Sequence, residues 1–476
     1  MDVKWQCWSK VLKSISHIHL MGICGTAMAS LAGLLKQKGY HVTGSDQNVY
    51  PPMSTQLESL GIDIMQGYKK ENLVPRPDLV IVGNVIAKRY EEAQALLESD
   101  IPYTSLPKAM ADFVIEDRNS IVVAGTHGKT TMTSMISWVA DQCVEGSGFL
   151  VGGIPLNFNQ SFKVPTGDWF VIEGDEYDTA FFDKVPKFIH YKPKYVILSS
   201  IEFDHADIYN SIDDIKKAFI MLLERIPKEG VLVYNADDKN ILSILKHANC
   251  KTVGYGQNNG DYQIHNRDFV VGRNQFAVNY QGKNIADIAV KQIGEYNSMN
   301  ALASFALSLE MGWDKIKVLQ ALAGFKGVKR RQELIGEPMG IPIYEDFAHH
   351  PTAVKLTLKA FRESFKDKKI IAVFEPRSAT SRRKIFQNDY AEAFKLSDVV
   401  VIAKPFDTSK IPENERFSSE ALISSLKQSN QHVYLGESTE QMISMIQSEV
   451  DENSVIVIMS NGGFDNIYDK LLQALK

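Results

Sequence analysis

Residues 120–132, SIVVAGTHGKTTM, constrain this chain more than any other stretch. The apolar run 121–124 leads into Gly125, Thr126, His127, Gly128, Lys129, Thr130 and Thr131, after which Met132, Met135, Ile136 and Val139 recur at helical spacing. The pattern predicts a strand, a glycine-bearing turn and a helix N-terminus, which aim backbone N–H groups and a positive dipole end at phosphate. Lys129 would meet the outer phosphates as a point charge, and the Thr130 hydroxyl is placed to ligate Mg²⁺. A full P-loop has a glycine where this sequence has Val123, so the loop is a shortened variant, G-x-x-G-K-T-T. A plain strand–turn–helix corner with a surface lysine is the alternative. Strand, helix and two consecutive threonines favour ATP or a close relative.

A chain of 476 residues exceeds one core, and its length suggests about three domains. The composition, 44% hydrophobic and 23% charged, is that of a globular protein. A net charge of −5 supplies no basic face, so no nucleic-acid partner is expected. Cys7, Cys24, Cys143 and Cys250 lack C-x-x-C spacing, which argues against structural zinc and for reduced thiols. The opening MDVKWQCWSKVLKS is interrupted by charge and lacks the apolar core of a signal peptide. No run approaches the roughly 18 apolar residues of a membrane span. A cytoplasmic protein with no membrane partner is expected.

In chain order, residues 1–118 predict a Rossmann-like β-α-β domain. HIHLM is followed by Gly22 and Gly25, a helix with Met28, Leu31, Ala32 and Leu35 on its buried face, and a second strand ending at Asp46. The glycines are spaced G-x-x-G, so a nicotinamide cofactor and another diphosphate-bearing ligand, such as a nucleotide sugar, fit equally well. Residues 119–326 form the expected central ATP-binding domain. Residues 146–158, rich in glycine, are expected to be an irregular loop. Strand 169–172 ends in Glu173, Gly174, Asp175, Glu176, Tyr177 and Asp178, either a solvated turn or the source of a Mg²⁺ ligand. Strand 195–198 runs into Glu202, Asp204, His205 and Asp207, where His205 is a ligand or a structural histidine. Residues 262–290 alternate as a small antiparallel sheet would. Helix 297–311 opens with Asn297 and Asn300, as an N-cap or as amides for a base. Residues 327–476 alternate strands and helices into a third, Rossmann-like domain. The expected class is α/β in three domains, and the residues alone reach ATP- and Mg²⁺-dependent transfer or ligation between two substrates.

The ordered set GTHGKTT, EGDEYD, EFDH, YNSMNA, GVKRR and DFAHHP resembles the Mur ligase family over essentially the whole chain. These enzymes build the peptide stem of bacterial cell-wall precursors. HIHLMGICGTAMASLAGLL resembles the branch acting on UDP-N-acetylmuramate, where the amine is L-alanine or a whole tripeptide. Phe181, Phe182, Asp183 and Lys184, with EPRS at 375–378 and SNGGF at 460–464, side with the tripeptide. The resemblance implies an ATP-dependent ligase of peptidoglycan recycling. It would join UDP-N-acetylmuramate to L-Ala-γ-D-Glu-meso-diaminopimelate through an acyl phosphate, the alternative being the L-alanine-adding reaction of de novo synthesis.

The same resemblance assigns Lys129 to the β/γ oxygens, Thr130 and Glu173 to one Mg²⁺ and His205 to a second. Asn297 and Asn300 match an adenine-contacting pair; Arg330 or Arg331, with Asp346, match residues closing on phosphate and ribose. Gly22, Gly25, Thr26 and Asp46 fall where the UDP moiety is held, and Arg377 is the candidate for a peptide carboxylate. Tyr296 departs from a usual histidine and Gly174 from a usual alanine. An ATP-hydrolysing switch and a nicotinamide-dependent dehydrogenase are the rivals from other classes.

Overall fold

Strands buried on both faces read as unbroken apolar runs, and such runs set the three large sheets of this α/β chain. Leu79–Val82, Val399–Ala403 and Ser454–Met459 are buried at every position. The computed structural model describes residues 14–49, 53–203, 208–270, 272–378, 380–409, 411–428 and 432–476.

The first sheet is wholly parallel, in the spatial order Asp63–Gln66, His41–Asp46, His17–Met21, Leu79–Val82 and Tyr103–Ser105. The chain reverses direction of build between His17–Met21 and Leu79–Val82, which opens a crevice at their C-terminal ends. Gly22 turns the chain there at φ +83°, and helix Thr26–Gln37 follows with Met28, Leu31, Leu34 and Leu35 buried. That helix also docks on the central lobe. Ser30 meets Ser161 at 2.8 Å, and a Cβ on Gly33 would fall 2.2 Å from the Phe162 ring.

The central sheet has ten strands, in the order Lys283–Val290, Arg273–Tyr280, Tyr262–Val270, Lys251–Gly256, Val231–Asn235, Tyr195–Leu198, Asn119–Ala124, Trp169–Gly174, Gly148–Leu150 and Phe162–Lys163. The antiparallel segment expected at 262–290 is therefore a continuation of the main sheet. It joins through two parallel pairs, Tyr255 with Tyr262 and Gly256 with Gln263. Residues 146–158 are not irregular throughout, because Gly148–Leu150 pairs with both neighbours. Glycine serves close approach there: a Cβ at Gly148 would sit 2.6 Å from the Pro165 nitrogen. Gly174 is confined in the same way, with Val122 Cγ1 2.7 Å from where a Cβ would lie.

The third sheet orders Glu333–Gly336, Ile343–Asp346, Ser454–Met459, Lys369–Phe374, Val399–Ala403 and His432–Gly436, antiparallel only at its first pair. Helix Pro351–Ser364 packs Val354, Leu358 and Phe361 inward, and its outer residues reach the central lobe. Lys359 meets Glu295 at 2.9 Å, and Glu363 meets Arg267 at 2.9 Å. Among the described residues no helix is long and apolar enough to cross a membrane.

Candidate active site

Strand Asn119–Ala124 lies inside the central sheet, so its C-terminal turn opens where a doubly wound sheet binds ligands. Gly125, at φ +132°, passes so close to the next strand's end that a Cβ would lie 2.2 Å from Ser199 Oγ. Gly128 caps helix Lys129–Cys143 at φ +79°. Thr126 N–H donates to the Ser200 carbonyl at 2.9 Å and His127 N–H to Ser200 Oγ at 3.1 Å, which fixes the turn. The Lys129 ammonium donates to the Gly125 carbonyl at 2.7 Å and to Glu176 Oε2 at 2.9 Å. Burial works against that charge, yet Glu176, Asp175 and Glu173 outweigh it and leave the Lys129 pKa above the ordinary value.

The acidic run after Trp169–Gly174 is not a solvated turn. Glu173 accepts the Thr130 hydroxyl at 2.9 Å on one oxygen and the Gly152 N–H at 2.9 Å on the other. Asp175 pairs with Lys187 at 2.6 Å, Glu176 with Lys129, and Asp178 with Lys184 at 2.9 Å. Thr130 and Glu173 thus bring a hydroxyl and a carboxylate oxygen together at a helix N-terminus. That donor set fits a magnesium ion that also takes phosphate oxygens.

Two hollows leave this turn. One, of about 380 Å³, lies toward Asn235, Asp237, Asn258, Tyr296 and Asn300, with His127 and Gly128 at its inner end. Beside it a smaller one is lined by Gly128, Tyr296, Asn297, Arg331, Gln332 and Asp346. Asn297 donates to the Ile293 carbonyl and to Gln332 Oε1, each at 2.9 Å, and Asn300 donates to Asn297 Oδ1 at 3.1 Å. The helix itself begins at Glu295 behind Gly294, so Asn297 sits inside its first turn and is no N-cap. Burial lowers the Arg331 pKa although Asp346 and Glu173 oppose it, and burial raises that of Asp346 against the pull of Arg331. On the other side, a cavity of about 200 Å³ runs from Gly25, Thr26 and Asn84 of the first lobe to Glu173, Asp175 and Lys187.

Family models match three successive stretches: the Mur ligase family catalytic domain over residues 17–118, the Mur ligase middle domain over 123–308, and the Mur ligase glutamate ligase domain over 330–462. The UDP-N-acetylmuramate–L-alanyl-gamma-D-glutamyl-meso-2,6-diaminoheptandioate ligase of Escherichia coli (strain K12) is 39% identical over 459 residues, 96% of this chain and 98% of its own. The chain belongs to the Mur ligase family. Among solved structures, a murein peptide ligase of Psychrobacter arcticus 273-4 superposes with a TM-score of 0.71 at 36% identity, covering 97% of this chain and 98% of that one. The UDP-N-acetylmuramate-alanine ligase MurC of Thermotoga maritima superposes with a TM-score of 0.80 at 25% identity, covering 96% and 98%.

In this Mur ligase the residues singled out from sequence fall into three groups. Gly125 to Thr131 form the turn and the start of the helix, and Glu173, Asn297, Asn300, Arg331 and Asp346 border it. Gly25 and Thr26 line the cavity toward the first lobe, whereas Asp46 is 7% exposed and spends its oxygens on the N–H groups of Cys24 and Asn48, both at 2.9 Å. Gly22 N–H donates to the Ser45 carbonyl at 2.8 Å, so these two residues shape the turn.

Arg330 and Arg377 lie together at the third sheet's C-terminal edge. Arg330, at φ +62°, bonds Glu345 at 2.5 Å and the Gly462 carbonyl at 2.6 Å. Arg377 stacks on the Phe406 ring at 3.7 Å and faces Glu375. His205 lies outside the described residues. Sequence reasoning did not single out Lys187 or Gln332, nor the gathering of His127 and Glu202, both named from sequence, with His350, the ligand atoms of the three lying within 4.8 Å of one another. Their signal was spatial, since each joins segments far apart in the chain.

Proposed function

We propose that this chain joins the lactyl carboxylate of UDP-N-acetylmuramate to the free amine of L-Ala-γ-D-Glu-meso-diaminopimelate at the expense of ATP, in peptidoglycan recycling. The observation that carries this reading is the cavity linking Gly25 and Thr26 to Glu173. It offers an acid borne on a nucleotide sugar a path from the first lobe's glycine turn to the phosphate turn. The 36% identity to the murein peptide ligase, against 25% to the L-alanine ligase, supports the tripeptide as the amine.

The carboxylate oxygen attacks the γ-phosphorus of ATP, the bond to the bridging oxygen breaks, and ADP leaves an acyl phosphate. The amine nitrogen then attacks the acyl carbon, phosphate departs, and the nitrogen gives up a proton. Lys129 neutralises the outer phosphates, and the N–H groups of the 125–131 turn hold them. Mg²⁺, which Thr130 and Glu173 would hold, with His205 proposed for a second ion, adds charge neutralisation at the transferring group. Asn297 and Asn300 border the place of the base. Arg331 and Asp346 face the phosphate turn from the third lobe, Arg377 is the candidate for a peptide carboxylate, and Arg330 lies beside it, held by Glu345.

The test is mass identification of the product from UDP-N-acetylmuramate, MgATP and either tripeptide or L-alanine. The tripeptide amide is expected. A clear preference for L-alanine overturns the choice of amine, and release of ADP with no amide overturns the ligase reading.

A further inference from the structure

A carboxylate that approaches a triphosphate needs a cation on its own side of the reacting atoms. Lys129 is held at the phosphate turn by the Gly125 carbonyl and Glu176. A second lysine, Lys187, lines the cavity between the lobes together with Thr26, Asn84, Glu173, Thr179 and Tyr191. Its side chain is 16% exposed and lies 5.6 Å from the Tyr177 ring centroid. Among the described residues its hydrogen-bond partner is Asp175 Oδ2 at 2.6 Å, which accounts for one of the three donors an ammonium carries. Asp175 is fixed in turn, its other oxygen accepting the Tyr177 N–H at 3.0 Å.

What precedes Lys187 sets its place. Strands Asp178–Ala180 and Asp183–Pro186 form a hairpin, and the Lys187 N–H closes it onto the Tyr177 carbonyl at 3.1 Å. At the hairpin's tip Phe182 meets Tyr103 of the first lobe edge-on at 5.0 Å, and Phe181 packs against the apolar cluster of Met21, Val80 and Val82. The hairpin is rooted in the central lobe and seated on the first. Lys187 is therefore registered to both the phosphate turn and the lobe with the Gly25–Thr26 turn.

We propose that Lys187 is the binding site of the acid substrate's carboxylate, an assignment that rests on the ligase reading above. The ammonium supplies charge and hydrogen bonds to the carboxylate before transfer and to the acyl phosphate afterwards. No bond to Lys187 forms, and its protons stay in place. Asp175 keeps the side chain aimed into the cavity.

The experiment uses the full chain with Mg²⁺ and ADP present. Affinities are measured by calorimetry for UDP-N-acetylmuramate and for UDP-N-acetylglucosamine, the same nucleotide sugar without the lactyl acid. The wild type should prefer the acid by about tenfold or more, the scale of a charge-assisted hydrogen bond. Lys187→Met should bind both sugars alike, at the wild-type affinity for UDP-N-acetylglucosamine, and Lys187→Arg should keep part of the preference. ADP binding reports folding; if Lys187→Met loses it, Lys187→Gln, which still reaches Asp175, is read by the same criterion. Equal weakening of both sugars, or a preference that survives, overturns the assignment. Failure of the wild type to bind the muramyl acid or to form the amide overturns the ligase reading beneath it.

Discussion

At the scale of single residues the site is a set of paired charges whose members cannot be removed one at a time. Glu176 is 2% exposed, and Lys129 is its cationic partner. Lys129→Ala should therefore lower turnover by about a hundredfold or more. It should also destabilise the chain by roughly 3 kcal/mol, by taking a cation from beside a buried carboxylate. Lys129→Ala combined with Glu176→Gln should recover the stability in urea unfolding and none of the turnover. Asp175 gives a pH signature. Burial would raise its carboxyl, but Lys187 and Lys129 outweigh burial and hold it down to about 2. Its folded pKa lies below the unfolded value, so its stabilisation is full above the ordinary carboxylate range and is lost as pH falls toward that depressed value. The stability gap between wild type and Asp175→Asn should be open at about pH 6 and close as pH approaches about 2. A gap unchanged across that range would contradict the pairing.

At the scale of elements the docking of the first lobe depends on a missing side chain. Helix Thr26–Gln37 lays Gly33 on Phe162, and Gly33→Ala should cost roughly 1–3 kcal/mol of stability through overpacking. Phe162→Ala should relieve most of that added cost in a double-mutant cycle, and purely additive costs would refute the contact. Much of this level was legible in sequence. The glycine turn at 125–131, the apolar strands and the acidic strand end follow from local periodicity and residue chemistry. What was not legible depends on partners distant in the chain. Residues 146–158 look like a loop because glycine marks both loops and close strand approach, and only the neighbouring Pro165 tells them apart. Arg330 and Arg331 are equivalent by residue type. The positive φ at Arg330 helps turn it toward Glu345, while Arg331 lines the hollow beside Gly128. Asp175 and Lys187 stand twelve residues apart across a hairpin that no local pattern announces.

At the scale of the whole molecule the central and third lobes meet through polar contacts beside the 125–131 turn. Thr352 donates to Glu202 at 3.0 Å, Glu202 accepts His127 at 3.1 Å, and Asn297 donates to Gln332. Thr352→Val removes one such bond without touching the turn. It should raise the KM for ATP by about two- to tenfold, the worth of one net hydrogen bond, with the tripeptide KM unchanged. Steady-state kinetics with each substrate varied in turn would check this, and an equal rise in both would point to general loosening. The pairing of Lys129 with Glu176 and of Lys187 with Asp175 carries a last consequence. Each ammonium already faces a carboxylate, so an anion that draws one away costs that carboxylate part of its compensation. A visitor that arrives with its own divalent counterion compensates those carboxylates as it settles. Nucleotide carrying its own divalent metal should therefore bind more tightly than the metal-free polyanion, a difference that calorimetry with and without Mg²⁺ would measure.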